Sequence, residues 1–371
     1  MTAARADADG VDLRAACAGT LAGRAQALQA LLAADPEAVL ACAEAEGVAP
    51  LLARALPAQA PTAALRARLA AQARLDGMRL LAREASARAV LDQLAEAGLP
   101  CFVLKGMALG QWLYPAPELR PGCDIDLLVA DLAQAEAATA ALVAAGWTLA
   151  HGVAPRQASD TQVALVDPAR RGVVLDLHWR LLNHAGLDRG LAFADLWARA
   201  QALPGLHPQA RALGAADALL HAALHRAGNR AAGTHDRLLW LYDVHLLAAR
   251  CGPGDWARLL APAADPVHLA ALVDALQAAH AAFATALPPE LAEAAARSAG
   301  AGLHLDAPGA FDRSHLRGLP WPQRLRWLWH KLLPPPAFMR HRYDAHGPLG
   351  LAAAYLRRWG VGLRRALGAD R

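Results

Sequence analysis

The chain has 371 residues, room for two or three domains and a sizeable core. A formal net charge of +4 and a pI near 9.0 are mildly basic, which suits a protein that handles phosphates but gives no strong nucleic-acid signal. Hydrophobic residues make up 56%, and because much of that is alanine beside abundant leucine and arginine, helix should dominate. Five scattered cysteines without Cys-x-x-Cys spacing fit reduced thiols, and cytoplasmic is the expected location. The acids near the N-terminus do not fit a signal peptide, and no stretch approaches the roughly 18 apolar residues of a spanning helix.

Residues 1–98 are predicted to be an N-terminal helical region. Asp12 caps a first helix, Asp35 and Pro36 open a second, and Thr62 caps a long third. Residues 99–182 are predicted to be an α/β core. A buried strand at 101–104 runs into Lys105-Gly106 and a short amphipathic helix over 106–113. A second strand covers 124–129, with Cys123 as a core residue at its start. Asp131 then caps a helix to Ala145, followed by a short strand at Trp147–Leu149. Thr161–Val166 and Val173–His178 flank a turn over residues 167–172 and form a hairpin. Residues 183–300 return to helix. Residues 301–371 form a loop to about 320 and then a basic amphipathic tail. Such a tail is of the kind that makes a weak contact with a membrane surface or an acidic partner; the alternative is a helix docked on the body with its arginines solvated.

Three carboxylates carry the chemistry. Strand side chains alternate faces, so Asp124 and Asp126 share one face while Ile125 and Leu127 share the other. Asp176 likewise lies opposite Leu175 and Leu177. Three acids on the exposed face of a small sheet would make a divalent-cation site suited to Mg²⁺ or Mn²⁺. Upstream, the Lys105-Gly106 turn and the following helix N-terminus present backbone N–H groups to an anion. Lysine is rare here, two against 35 arginines, so its place at this turn points to a need for a compact ammonium.

The run Lys105-Gly106, Tyr114-Pro115, Arg120-Pro121 and Asp124-Ile125-Asp126-Leu127-Leu128-Val129 resembles the signature of an uncharacterised bacterial nucleotidyltransferase family of the DNA polymerase β-like superfamily. Asp176-Leu177-His178-Trp179-Arg180 resembles its second motif, and Leu238 to Val244 resembles its helical third. The Lys-Gly turn departs from the superfamily's usual Gly-Ser. The resemblance implies an α+β fold, a small mixed sheet with the nucleotidyltransferase core embedded in a predominantly helical protein. It implies metal-dependent transfer of a nucleoside monophosphate, AMP first among them, from a nucleoside triphosphate to an unidentified acceptor. The acceptor could be a peptide, a sugar or another natural product being tailored. Asp124, Asp126 and Asp176 would hold the metals, and Lys105, Gly106 and Arg120 would contact the nucleotide. Asp243 would orient a basic residue. The alternative is a catalytically inactive relative that binds a nucleotide or a partner.

Other candidates compete. His221 and His225 stand at i, i+4, a spacing open to a metal, a structural role or a substrate contact. Arg156, Arg170 and Arg171 could meet phosphates or be solvated loop residues. Serine-hydrolase, Walker-type and dinucleotide-binding motifs are absent.

Overall fold

The computed structural model describes residues 12–150, 152–155, 161–169, 172–301 and 310–366. The chain forms two compact units, each assembled from separated stretches. One comprises Met1–Ala85, Val103–Cys123 and Arg199–Gly302; the other comprises Ser86–Phe102, Asp124–Ala198 and Leu303–Arg371.

Helices dominate among the described residues. The N-terminal part holds α1 (Leu13–Leu21), α2 (Ala25–Ala33), α3 (Pro36–Glu46), α4 (Ala49–Ala55) and the long α5 (Ala63–Glu96). Capping explains where the first of these begin. The Asp12 carboxylate accepts from the Ala15 amide at 3.0 Å, and Asp35 accepts from Glu37 and Ala38 with Pro36 at the first helical position. Thr62 behaves differently from its predicted role. Its hydroxyl donates to the Pro57 and Gln59 carbonyls at 2.7 and 2.8 Å and so ties down the loop before α5.

After α5 come β1 (Phe102–Val103), α6 (Lys105–Trp112), a 3₁₀ turn at Pro117–Leu119, β2 (Ile125–Leu128) and α7 (Leu132–Ala144). Then follow β3 (Thr148–Leu149), β4 (Gln162–Val166), β5 (Val174–His178) and α8 (Phe193–Ala198). The short strands β6 (Gln201–Ala202) and β7 (Arg211–Ala212) pair antiparallel. Helices resume with α9 (Ala215–Ala231), α10 (Leu238–Ala248), α11 (Pro253–Leu259), α12 (Pro266–Phe283) and α13 (Leu291–Arg297). The last four are α14 (Ala310–Gly318), α15 (Trp321–Leu332), α16 (Pro336–Tyr343) and α17 (Gly347–Ala366). Residues 310–318, expected to be loop, are thus helical.

In the second unit the strands run in the order β3-β4-β5-β2. The predicted hairpin forms, with β4 and β5 antiparallel from Gln162↔His178 to Val166↔Val174. Asp167 anchors its turn: one carboxylate oxygen accepts from the Ala169 amide at 2.7 Å and the other from the Ser86 hydroxyl. β2 pairs β5 in parallel, in the register Ile125↔Leu175, Asp126↔Asp176, Leu127↔Leu177 and Leu128↔His178. Ile125, Leu127, Leu175 and Leu177 are fully buried, and they supply the apolar core behind the acids. Phe102, Phe193 and Trp197 form an aromatic cluster in the same unit, with ring centroids 5.1–5.4 Å apart.

In the first unit, α1 packs on α2, α3 and α4, while α9, α10 and α12 pack on one another. Buried charge there is matched by opposite charge. Arg226 forks onto Asp236 at 2.7 and 2.9 Å and reaches Asp274 at 2.5 Å, and Asp217 accepts from Arg199 and Arg258, both at 2.8 Å.

Candidate active site

The parallel register of β2 and β5 does the positioning. Asp126 and Asp176 are direct partners across the two strands and so leave the sheet on the same face. His178, two residues beyond Asp176, shares that face by the same alternation. Ligand atoms of Asp126, Asp176 and His178 all lie within 4.8 Å of one another. The His178 Nε2 is 3.1 Å from Asp126 Oδ1, and the Gln162 side-chain amide donates to Asp176 Oδ2 at 3.0 Å. The His178 Nδ1 is buried without a hydrogen-bond partner.

Two of these side chains were legible in the alternation, and one was missed. His178 satisfies the same i, i+2 rule as Asp124 and Asp126, counted from Asp176. Asp124 lies one residue ahead of β2, half-buried, and is not part of the three-residue group. The acids were expected on an exposed face; Asp126 is instead only 3% exposed. The cause is topological, since all four residues of β2 are buried, as is usual for a strand with a parallel neighbour. Cys123, expected in the core, is exposed.

A buried carboxylate facing another carboxylate in register is electrostatically costly. Close like charges disfavour ionisation of both, unless a cation or a proton intervenes. The donor set therefore fits a divalent cation: two acids of different strands, converging on one point with an imidazole beside them. Carboxylates suit Mg²⁺ and Mn²⁺, and an added imidazole tilts preference away from strictly oxygen-seeking Mg²⁺.

The Lys105-Gly106 turn is built in the other unit. Lys105 opens α6 with φ of +48°, a left-handed conformation that side-chain-bearing residues adopt only under constraint. Gly106 has a different need. A Cβ there would sit 2.7 Å from Arg120 Nη1, so only glycine lets the guanidinium lie against the turn. Arg120 is in turn pinned by Asp243 on α10. Its Nε and Nη2 donate to the two Asp243 oxygens at 3.1 and 2.6 Å, and its Nη1 donates to the Pro121 carbonyl at 2.8 Å. Tyr114 donates its hydroxyl to Asp243 at 2.7 Å. Burial, reinforced by the Asp243 charge and opposed by Arg120, pushes the Tyr114 hydroxyl well above the ordinary tyrosine range, so it stays a neutral donor. Asp243 thus does orient a basic residue, Arg120, 123 positions earlier in the chain.

The histidine pair makes no metal cluster among the described residues. His221 and His225 lie edge to face with centroids 6.2 Å apart, and His225 packs on Trp240 and contacts Asn229. Arg156, Arg170 and Arg171 lie outside the described residues.

No curated protein and no solved structure matches the chain. A family model described as an uncharacterised nucleotidyltransferase matches residues 33–284, which include both carboxylate strands, the Lys105-Gly106 turn and Asp243. That match spans well over half of the sequence, and the chain, a transferase, belongs to the uncharacterised nucleotidyltransferase family.

Proposed function

We propose that the protein transfers a nucleoside monophosphate, AMP in the first instance, from a nucleoside triphosphate to an acceptor hydroxyl or similar group. One observation carries this reading: Asp126 and Asp176 meet in register on parallel strands, with His178 within 4.8 Å of both. Asp126 and Asp176 would hold divalent metal, Mg²⁺ or Mn²⁺, with Asp124 as an additional ligand from the start of β2. A cation bound there supplies charge neutralisation for the phosphates and the departing pyrophosphate. The imidazole of His178 orients the Asp126 carboxylate, and the Gln162 amide fixes one oxygen of Asp176. Asp176 also serves as the acceptor's base. Lys105 and Gly106, at the N-terminus of α6, bind triphosphate oxygens through the ammonium and backbone N–H groups. Arg120 supports that turn from below, and its fork on Asp243 leaves it a supporting rather than a leading phosphate contact.

The acceptor in this reading is a peptide, a sugar or another natural product. The test is incubation of the protein with Mg²⁺ or Mn²⁺, NTPs labelled at the α-phosphate, and cell extract. Label should move to an extract component with wild type. With Asp176→Asn transfer should fall by on the order of 10²–10³-fold, because a charge that would hold the cation is removed while the shape is kept. Transfer undiminished in Asp176→Asn would sink the carboxylate mechanism. NTP binding without label transfer by wild type, across extracts, would favour a nucleotide-binding relative without turnover.

A further inference from the structure

The C-terminal helices carry an apolar face turned the wrong way for a folded protein. In α15, Trp321, Leu325, Leu328, Trp329 and Leu332 are all exposed, Trp321 by 67% and Trp329 by 62%. At about 100° per residue these five fall within one arc of roughly 100°. The opposite side is the one held by the protein. Trp327 packs on His315 with centroids 5.4 Å apart and carries the Lys331 ammonium 4.6 Å above its ring, while Lys331 pairs with Asp312. No residue of α15 is fully buried. A helix anchored by its polar side, with its hydrophobic arc outward, leaves that arc to be covered by something else.

The arc continues onto α17. Its exposed Leu349, Leu356 and Trp359 share a stripe, and Trp359 donates its indole N–H to the Leu332 carbonyl at 2.7 Å. Arg358 reaches the Lys331 carbonyl, so the two apolar stripes meet at Leu332 and Trp359. Between them α16 is fixed by a small core of Met339, Ala345 and Ala354.

Charge identifies the occupant. From Pro320 to Ala366 the sequence has nine Arg and Lys residues and one acid, Asp344. Arg340, Arg342, Arg357 and Arg364 are exposed in the same helices or the one between them. Exposed tryptophans and leucines on one arc, in a segment this rich in cations, match the apolar boundary and anionic headgroups of a lipid surface. No helix among the described residues is long and apolar enough to cross a membrane, so contact would lie in the interface plane. We propose that α15 and α17 form a peripheral docking face for an anionic lipid bilayer.

Flotation of the full-length protein with vesicles tests this. Bound protein should be at least on the order of tenfold greater on phosphatidylcholine mixed with phosphatidylglycerol than on phosphatidylcholine alone, and should drop as salt is raised. Leu325→Glu combined with Trp329→Glu should bring binding to background with the circular dichroism spectrum unchanged. Leu75→Glu combined with Met78→Glu, on the exposed surface of α5, should leave it intact. Should the first variant fail to fold, wild-type tryptophan quenching by brominated anionic lipid reads the same contact. Absent flotation, equal binding to neutral vesicles, or a dimer by light scattering that the α15 variant disperses would each overturn the proposal, the last by assigning the face to a second copy.

Discussion

Two groups of charged residues, one in each compact unit, carry nearly all of the family-like motifs, and they are built on opposite electrostatic principles. In the first unit the Arg120 guanidinium is matched by Asp243, with Tyr114 completing the carboxylate's shell. In the second, two like charges, Asp126 and Asp176, are brought together in register, with the His178 ring against Asp126 and the Gln162 amide on Asp176. A buried matched pair fixes its two partners in one geometry, and removing either one strands the other's charge. Two acids held close together are kept against a stability penalty, which a bound cation would offset. On this view the Arg120–Asp243 pair shapes the Lys105-Gly106 turn, and the acidic pair is where chemistry happens.

The comparison can be broken first at the matched pair. Asp243→Ala leaves a buried guanidinium and should cost about 3–5 kcal/mol of stability. A thermal melt reads this directly; an unchanged melting temperature would mean the pair is solvated and the contrast is false. Gly106→Ala should destabilise as well, because the displaced Arg120 tip is pinned rather than free to swing. The next effect is on ligand rather than fold. Lys105→Ala should weaken NTP binding by about 1–3 kcal/mol, with the melting temperature of the free protein nearly unchanged. A large loss of stability with unaltered affinity would make Lys105 structural.

Asp188 offers a case between the two extremes. Burial pushes its carboxyl up to about 6, against the Leu182 N–H at 3.0 Å and Arg180 at 3.7 Å. A raised folded-state value means the proton is held more tightly in the native protein. Its contribution to stability is therefore full below the unfolded value of 3.8 and is lost as pH rises through about 6. Asp188→Asn should remove that dependence, so the stability difference between the variant and wild type should shift by about 1–3 kcal/mol from pH 4 to pH 8, in the variant's favour at pH 8. A pH-independent difference would show that Arg180 already compensates the charge.

Alternation and capping made much of the acidic region readable from residues alone. The hairpin around Asp167 and the helix starts at Asp12, Asp35 and Asp131 rest on contacts within a few positions of each other, and the faces of Asp126 and Asp176 follow from strand alternation. What stayed hidden depends on partners far apart in sequence. The burial of Asp126 follows from β2 lying against β5, and the Arg120–Asp243 pair joins residues 123 apart. His178 was within reach of the i, i+2 rule but lacked a carboxylate to draw attention. The outward apolar face of α15 could be read as amphipathic but not as inverted, because only packing shows that Trp327 is the side held.

The most direct test of the cation-site assignment needs no acceptor. Thermal unfolding of wild type and Asp176→Asn would be followed with and without Mn²⁺ and a non-hydrolysable NTP analogue. Without metal, relief of repulsion should make Asp176→Asn equal to or slightly more stable than wild type. With Mn²⁺ and analogue together, wild type should gain on the order of 2–4 kcal/mol at ligand far above its dissociation constant, and the variant little. Equal stabilisation of both proteins, or a metal-free variant much less stable than wild type, would contradict the assignment of Asp126 and Asp176 as a cation site.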